Sequence, residues 1–548
     1  MTTQRLDMFD ADLENNGSGN ARAKPGVWDA IIVGAGAAGA VFARQLTRAG
    51  LHVLLLERGK HYADHRREFA ENELAMWERV WNNDDYRVTG DGFTGAPNFG
   101  HGVGGGTLVW TAVSLRMMAH DFCLRSTYGQ PAGSSVTDWP FQLSDLQPHY
   151  LKAERQMGVA GATLPWEDPH RPARPFPAFP YYHASERLVE GMRRLSLRPA
   201  PGPVAIASRT RGSRSACLHC GFCRSGCRID AKYQCDHTLI AEARATRLLD
   251  LRTDAEVLSI DQARHPRRAS GVTYADIATG KRYRVQSRLL FICNNPMEMP
   301  RLFLNSANPW HPRGLANSND QVGRHFHAHV GTIGAGVTNE CVNSSVGYNM
   351  GNVITLDRSR SDAPGRYIGG FSIESLNGAG AGVLAVDPYN ALYGSELKQK
   401  MRQYNKTLFA VAFCEGLPAA DNRITVDSDR RDASGMPKAH IHYKLHDNDK
   451  ALFDEANRTL AQLLRASGAQ SVHLTPKPFE AHPAGSMRMG DNPRTSVADE
   501  FGKVHELDNV YLGGAALFVS SGCVNPTLTL HALALRTCDH VLRRFGLH

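Results

Sequence analysis

The chain has 548 residues, 42% of them hydrophobic and 21% charged, which suits a soluble globular protein of two or three lobes. A formal charge of +8 is mild at this length, and the Lys and Arg are scattered without interleaved aromatics, so nucleic-acid binding finds no support. No run of about 18 apolar residues argues for a membrane span, and 11 cysteines, an odd number in a long chain, argue against a disulfide framework.

Residues 1–25 are polar and acidic, with neither the apolar core of a secretory signal nor a twin-Arg pair, and read as a flexible tail. The default compartment is the cytoplasm; export bound to a signal-bearing partner is the alternative. From Val27 to Val33 the residues read as a buried strand, followed by GAGAAG and a small-residue helix that runs to Ala49 and stops at Gly50. A second apolar strand runs from Val53 to Glu57, completing a β-α-β unit. Gly34 permits the tight turn, Gly36 lets the backbone approach a pyrophosphate, and Gly39 allows close helix–strand packing. Glu57 stands where a carboxylate can accept from ribose hydroxyls. This unit alone does not separate FAD from NAD.

Residues 164–181 are Pro-rich and predict an extended connection. Leu289 to Cys293 and Val510 to Leu512 are apolar runs that extend the first sheet, which makes the nucleotide-binding domain discontinuous. His325, His327 and His329 alternate, which would put three imidazoles on one face of a strand. A metal site and a local structural role are both open there, the second favoured. Residues 331–480 mix strand-like runs such as AHIHYKL with Gly-rich stretches, and residues 369–383 are read as a lid.

Cys217, Cys220, Cys223 and Cys227 give C-x2-C-x2-C-x3-C, the spacing with which bacterial-type ferredoxins wrap an iron–sulfur cluster, although Arg228 replaces the usual proline. A structural zinc and a group of inert or redox-labile thiols are the alternatives, and Cys235 is a spare thiol. His482, in AHPAGS, is read as lying in a small-residue loop that leaves its imidazole accessible, a side chain suited to proton transfer near neutrality.

Five ordered segments together resemble the glucose–methanol–choline (GMC) flavoprotein oxidoreductases. They are the fingerprint with Glu57; Gly102 to Thr107 continuing to Trp110; Asp138-Trp139-Pro140 with Leu146 to Tyr150; Asn294 to Arg324; and the pair HPAGSMRMG and VNPTLTLHALALR. Within that family the pattern looks most like pyranose oxidases, glucoside 3-dehydrogenases and the catalytic subunits of bacterial sugar dehydrogenases. The resemblance implies an α/β fold, with a Rossmann-like FAD-binding domain from residues 26–130, 236–330 and 481–548. A substrate domain of sheet and helices would take residues 131–235, including the Cys-rich insertion 214–235, and residues 331–480. It implies that Gly104, Gly105 and Thr107 contact FAD, that His482 is the general base, and that Asn525 holds the substrate oxygen beside it. Glu415 falls in a family segment as an acidic partner for the site or a structural ion pair. Where pyranose oxidases carry the histidine that bonds flavin, this chain has Val109, so non-covalent FAD is expected. The Asn294-Asn295 pair departs from the family's small residues.

By the same resemblance, a three-iron cluster would use three of the four cysteines and a four-iron cluster all four. Either would pass electrons to a cytochrome, with a small escort subunit as a further partner. The expected function is therefore oxidation of a sugar or glycoside hydroxyl. The alternatives are an oxidase or dehydrogenase of a non-sugar alcohol in a biosynthetic pathway, and a catalytically silent electron-transfer flavoprotein.

Overall fold

The structure, a computed structural model, describes residues 26–69, 72, 75, 80–82, 84–92, 99–212, 214–361, 365–377, 380–385 and 392–546; the tail read over residues 1–25 lies outside them. Ala30, Ile31, Ile32 and Val33 are buried in succession, as a parallel strand covered on both faces requires. Their strand, Val27–Val33, pairs in parallel with Val53–Leu56 on one side and Arg282–Ile292 on the other. Leu249–Arg252 adds beyond Val53–Leu56, and Val510–Leu512 lies along Leu290 to Ile292, again in parallel. Ala255–Gln262 and Ala269–Asp276 complete the seven strands as an antiparallel meander on the leading half of Arg282–Ile292. This is a discontinuous Rossmann-like sheet drawn from the start, middle and end of the chain. Helix Ala37–Arg48 presents Ala and Gly to it, and Phe42 packs its ring 4.7 Å from that of Phe291. The last helix, Thr527–Phe545, packs on Ala37–Arg48 and on Leu143–Met157, and ends at Gly546 in the left-handed conformation (φ 65°).

A second, antiparallel sheet of six strands runs in the order Met350–Thr355, Phe371–Leu376, Thr407–Cys414 and His327–Val337. Ser471–Leu474 and Phe479–Ala484 both pair with the far edge of His327–Val337. Helix Asp447–Ala466 covers one face with Leu452, Ala456, Leu460, Leu463 and Leu464, each buried leucine stabilising by about 2 kcal/mol relative to exposure. Ile333, Leu376, Val411 and Phe413 look instead into a cavity between this sheet and the first.

Two expectations change. The Gly-rich stretch read as a lid contains an interior strand, Phe371–Leu376, while residues 378 and 379 fall outside the described residues. Its leading glycines serve close approach rather than mobility: a Cβ on Gly370 would lie 2.2 Å from the backbone of Ser359. AHIHYKL does form a strand, Pro437–His442, but in a separate three-stranded sheet with Arg423–Arg431 and Arg87–Thr89. The Pro-rich residues 164–181 form neither helix nor strand, as expected. No helix among the described residues is long and apolar enough to cross a membrane.

Candidate active site

At the end of the first strand the chain turns at Gly34 (φ 96°), and a Cβ on Gly39 would stand 2.0 Å from the Gly34 carbonyl oxygen. Only glycine lets the helix start this close to the strand. Glu57, just past Val53–Leu56, accepts from the Ala35 N–H through Oε2 (2.8 Å) and from the Gly59 N–H through Oε1 (2.9 Å). Burial raises its pKa, and those bonds oppose the rise. The loop Gly102 to Gly106 meets the fingerprint directly: a Cβ on Gly105 would be 2.9 Å from the Cα of Gly36. Thr107 donates to the Gly104 carbonyl (2.6 Å) and accepts from the Cys235 N–H (3.1 Å), fixing the loop.

A cavity of about 590 Å³ begins at these loops and ends at His482 and Asn525. Gly34, Gly36, Glu57, Gly105, Thr107 and Val109 line it. Gly39 and Gly104 stand behind the wall, Gly39 against Gly34 and Gly104 against Leu108 and Asp236. The Asn294-Asn295 pair also lines it, and here the structure supplies a consequence the sequence did not. Asn295 Oδ1 accepts from the N–H groups of Met297 and Glu298 (3.0 and 2.9 Å), capping the helix Glu298–Asn305.

His482 does not sit in a loop, as its small neighbours suggested, but in the strand Phe479–Ala484. His329 pairs with Ala481 and His327 with Ala484, so one extra residue is accommodated on the His482 side. His482 occupies that bulge in the left-handed conformation (φ 56°), which re-aims its ring. Its Nδ1 lies 2.9 Å from Nδ1 of His329, whose Nε2 is 3.4 Å from the carbonyl oxygen of Ser521. A carbonyl only accepts, so Nε2 of His329 carries the hydrogen. Burial lowers the pKa of His329 to about 4, so the ring is neutral and its Nδ1 accepts. His482 therefore donates through Nδ1, and its Nε2 keeps a lone pair. Burial, and then the nearby His329, hold the pKa of His482 well below the ordinary value, so the ring is an unprotonated base at neutral pH.

Asn525, one residue before the cap of the last helix, is buried with neither amide atom partnered among the described residues. Such a group demands a ligand or water. Ser521 braces both halves of this arrangement, its hydroxyl reaching His327 Nε2 (2.9 Å) while its carbonyl takes His329.

The three alternating histidines do not converge. His325 turns away at φ 64° to Ser135 (2.7 Å) and Gln321 (2.9 Å), while His327 and His329 support the Ser521 turn, in keeping with the local structural role. Glu415 forms no ion pair among the described residues. It lies fully buried beneath the same turn, where burial and the charge of Asp121 raise its pKa well above the carboxylate range.

Of the four clustered cysteines, Cys223 is buried, Cys217 and Cys227 half-buried and Cys220 exposed. Burial pushes the Cys217 thiol up to about 12 and that of Cys223 to about 11. Their stretch is fastened to the cavity wall by a residue whose role the sequence did not reveal. Lys232 is buried and donates to the carbonyls of Leu108 (2.8 Å), Trp110 (3.2 Å) and Cys223 (2.6 Å). Burial lowers its pKa to about 8. A lone lysine in AKYQCD carries no periodic or motif signal of this kind.

Family models described as GMC oxidoreductase match residues 202–331 and 418–534, and one described as an NAD(P)-binding Rossmann-like domain matches residues 32–71. The chain is 29% identical to a 2-methyl-1,2-propanediol dehydrogenase of Mycolicibacterium austroafricanum, over 94% of this chain and 96% of the relative. It is 29% identical to a fructose dehydrogenase large subunit of Gluconobacter japonicus, over 94% and 97%. It is 31% identical to a 6'''-hydroxyparomomycin C oxidase of Streptomyces lividus, over 93% and 90%. The fingerprint, the cavity with His482 and Asn525 at its end, and identity over nearly the whole length converge: this chain is an oxidoreductase that belongs to the GMC family.

Proposed function

We propose that the chain is an FAD-dependent dehydrogenase that oxidises a sugar or glycoside hydroxyl to a carbonyl and sends the electrons through an iron–sulfur cluster to an external acceptor. The observation that carries this reading is one continuous cavity joining the dinucleotide fingerprint to a neutral imidazole and an unpartnered amide. The wall fits FAD: Gly34, Gly36 and Gly105 line the cavity, a Cβ on Gly36 would project into open space, and the Ala37–Arg48 helix begins at the fingerprint, where its N–H groups suit a pyrophosphate. Val109 carries no group able to bond the flavin, which supports non-covalent binding. Bound FAD supplies the hydride acceptor. Nε2 of His482 takes the hydroxyl proton, and the Asn525 amide orients the oxygen and stabilises its developing charge. His329 keeps the accepting nitrogen of His482 turned outward by receiving its Nδ1–H.

The relay is supported by the fastening of the cysteine stretch to the cavity wall through Lys232 and by the exposure of Cys220 on its outer side. Among the described residues, the one set of three ligand atoms mutually within 4.8 Å lies elsewhere, at His65, Asp236 and His237. The C-x2-C-x2-C-x3-C spacing of the four cysteines is what favours an iron–sulfur cluster over a zinc held by two separated C-x2-C pairs. The relatives include a fructose dehydrogenase named as a large subunit, which supports partner subunits and a sugar substrate. The second reading, an oxidase or a dehydrogenase of a non-sugar alcohol, is favoured by the oxidase and the propanediol dehydrogenase among those relatives.

Anaerobic absorption spectra before and after a sugar or glycoside test the reading. Flavin bands over a broad cluster absorption, with the flavin bleached by sugar, are expected. Bleaching by small diols alone would overturn the sugar assignment. Cys220→Ser with Cys223→Ser should abolish dye or cytochrome reduction while sparing flavin bleaching; equal loss of both would overturn the relay.

A further inference from the structure

Four ionisable side chains from two distant segments meet beside the cysteine stretch, away from the cavity. His65 opens the short helix His65–Glu68, is buried, and stacks on Phe69 at 4.5 Å. Its Nε2 lies 2.7 Å from Asp236 Oδ2 and its Nδ1 lies 2.6 Å from Asp230 Oδ1. Asp236 and His237 open a one-turn π-helix, Asp236–Ile240, a rare geometry that recurs at functional sites. Nδ1 of His237 is 3.3 Å from Asp236 Oδ1, and its Nε2 is buried without a partner among the described residues. The rings of His65 and His237 stand edge to face, 5.1 Å apart.

We propose that His65, Asp236 and His237 bind a divalent first-row transition ion, with Asp230 as the carboxylate that orients His65. Two imidazoles and a carboxylate form a donor set suited to zinc and its neighbours. Metal-bound imidazoles characteristically give their second N–H to a carboxylate, and His65 has that arrangement, Asp230 lying 2.6 Å from Nδ1 while Nε2 faces Asp236. Charge points the same way. Two carboxylates meet here, one of them fully buried. A divalent ion leaves the group neutral and displaces the proton from Nε2.

The ion would join the segment after the second strand to the segment that follows the clustered cysteines. It would also brace the glycine loop, since the Asp236 carboxyl carbon is 3.6 Å from where a Cβ on Gly104 would stand. Its role is that of a staple between cofactor loop and cysteine stretch, independent of which alcohol is oxidised.

The test uses the full-length flavin-loaded protein carrying Cys220→Ser and Cys223→Ser, stripped with chelator and titrated with Zn2+. A single tightly held equivalent and a rise in Tm are expected. His237→Ala and the more conservative His237→Gln should both lose that equivalent while keeping flavin content and circular dichroism. Asp230→Asn should retain it with affinity weakened about tenfold or more. Co2+ in place of Zn2+ should show nitrogen and oxygen ligation without thiolate charge transfer. No zinc in the cysteine-depleted protein, zinc undiminished by both His237 variants, or a thiolate band with Co2+ would each overturn the site.

Discussion

The two sheets treat their interiors in opposite ways. In the first, Ala30 to Val33, Val53 to Leu56 and Leu289 to Ile292 are buried and wholly apolar, and the polar groups its strands do bury, such as the paired Asp29 and Arg288, lie away from the cavity, which the sheet meets with loops at its strand ends. In the second, His327, His329, Thr332, Ser372, Glu374 and Ser375 are all buried within strands. The first sheet is a rigid support; the second places ionisable groups where desolvation tunes them, and gives up stability to do so.

The largest effect that would sharpen this contrast is at the catalytic end. His482→Ala should lower the rate of flavin bleaching by substrate by about 10²–10⁴-fold with flavin still bound; loss of flavin as well would mean that chemistry and support are not separable. On the first sheet, Gly39→Val places a Cβ 2.0 Å from the Gly34 carbonyl and should purify largely free of flavin, measured as the flavin-to-protein ratio. Flavin at full occupancy would show that this helix can shift without cost.

His329→Gln should cost about 10–100-fold in kcat through misorientation of His482, with little change in KM. The pH profile separates this from a structural effect. The pKa of His482 is lowered by burial and then by His329, so the base form persists as pH falls through 6.5, and activity should persist with it. Removing His329 should move the acid limb upward, towards 6.5; an unmoved limb would break the assignment. The smallest effect concerns Glu374, whose two oxygens are buried without partners among the described residues and whose pKa burial raises from 4.5 to about 8. Its favourable protonated state is fully present below pH 4.5 and is lost as pH rises through about 8, so stability should decline across that window. Glu374→Met should flatten the decline and add about 1–3 kcal/mol at the alkaline end, read as Tm. Parallel curves for variant and parent would leave the second sheet no costlier than the first.

The same contrast explains what the sequence disclosed. The apolar runs and GAGAAG announce the first sheet because burial on both faces and a glycine turn impose local patterns. His482 and Asn525 were marked out by their flanking motifs, and the structure brings both to the cavity. The bulge that turns His482 was not, because it arises from a one-residue mismatch with His327 and His329, about 150 positions earlier in the chain. The first part of the stretch read as a lid is an interior strand, since glycines needed for close packing, such as Gly370 against Ser359, have the same composition as glycines in a mobile loop. Lys232, Glu374 and the meeting of His65 with Asp236 depend on contacts between distant segments, and no local periodicity records them.

The assembly of the first sheet from three parts of the chain has a consequence for biosynthesis. Residues Leu290 to Ile292 receive Val510–Leu512 only after the more than 200 residues between them have been made, and the helix bearing Thr527 follows later still. Until then an apolar strand edge is open to wrong partners, the condition under which nascent chains aggregate or recruit chaperones. Cofactor loading is accordingly expected only after residues 510–545 have been made, and truncation of the helix Thr527–Phe545 should yield insoluble protein rather than a weakened enzyme.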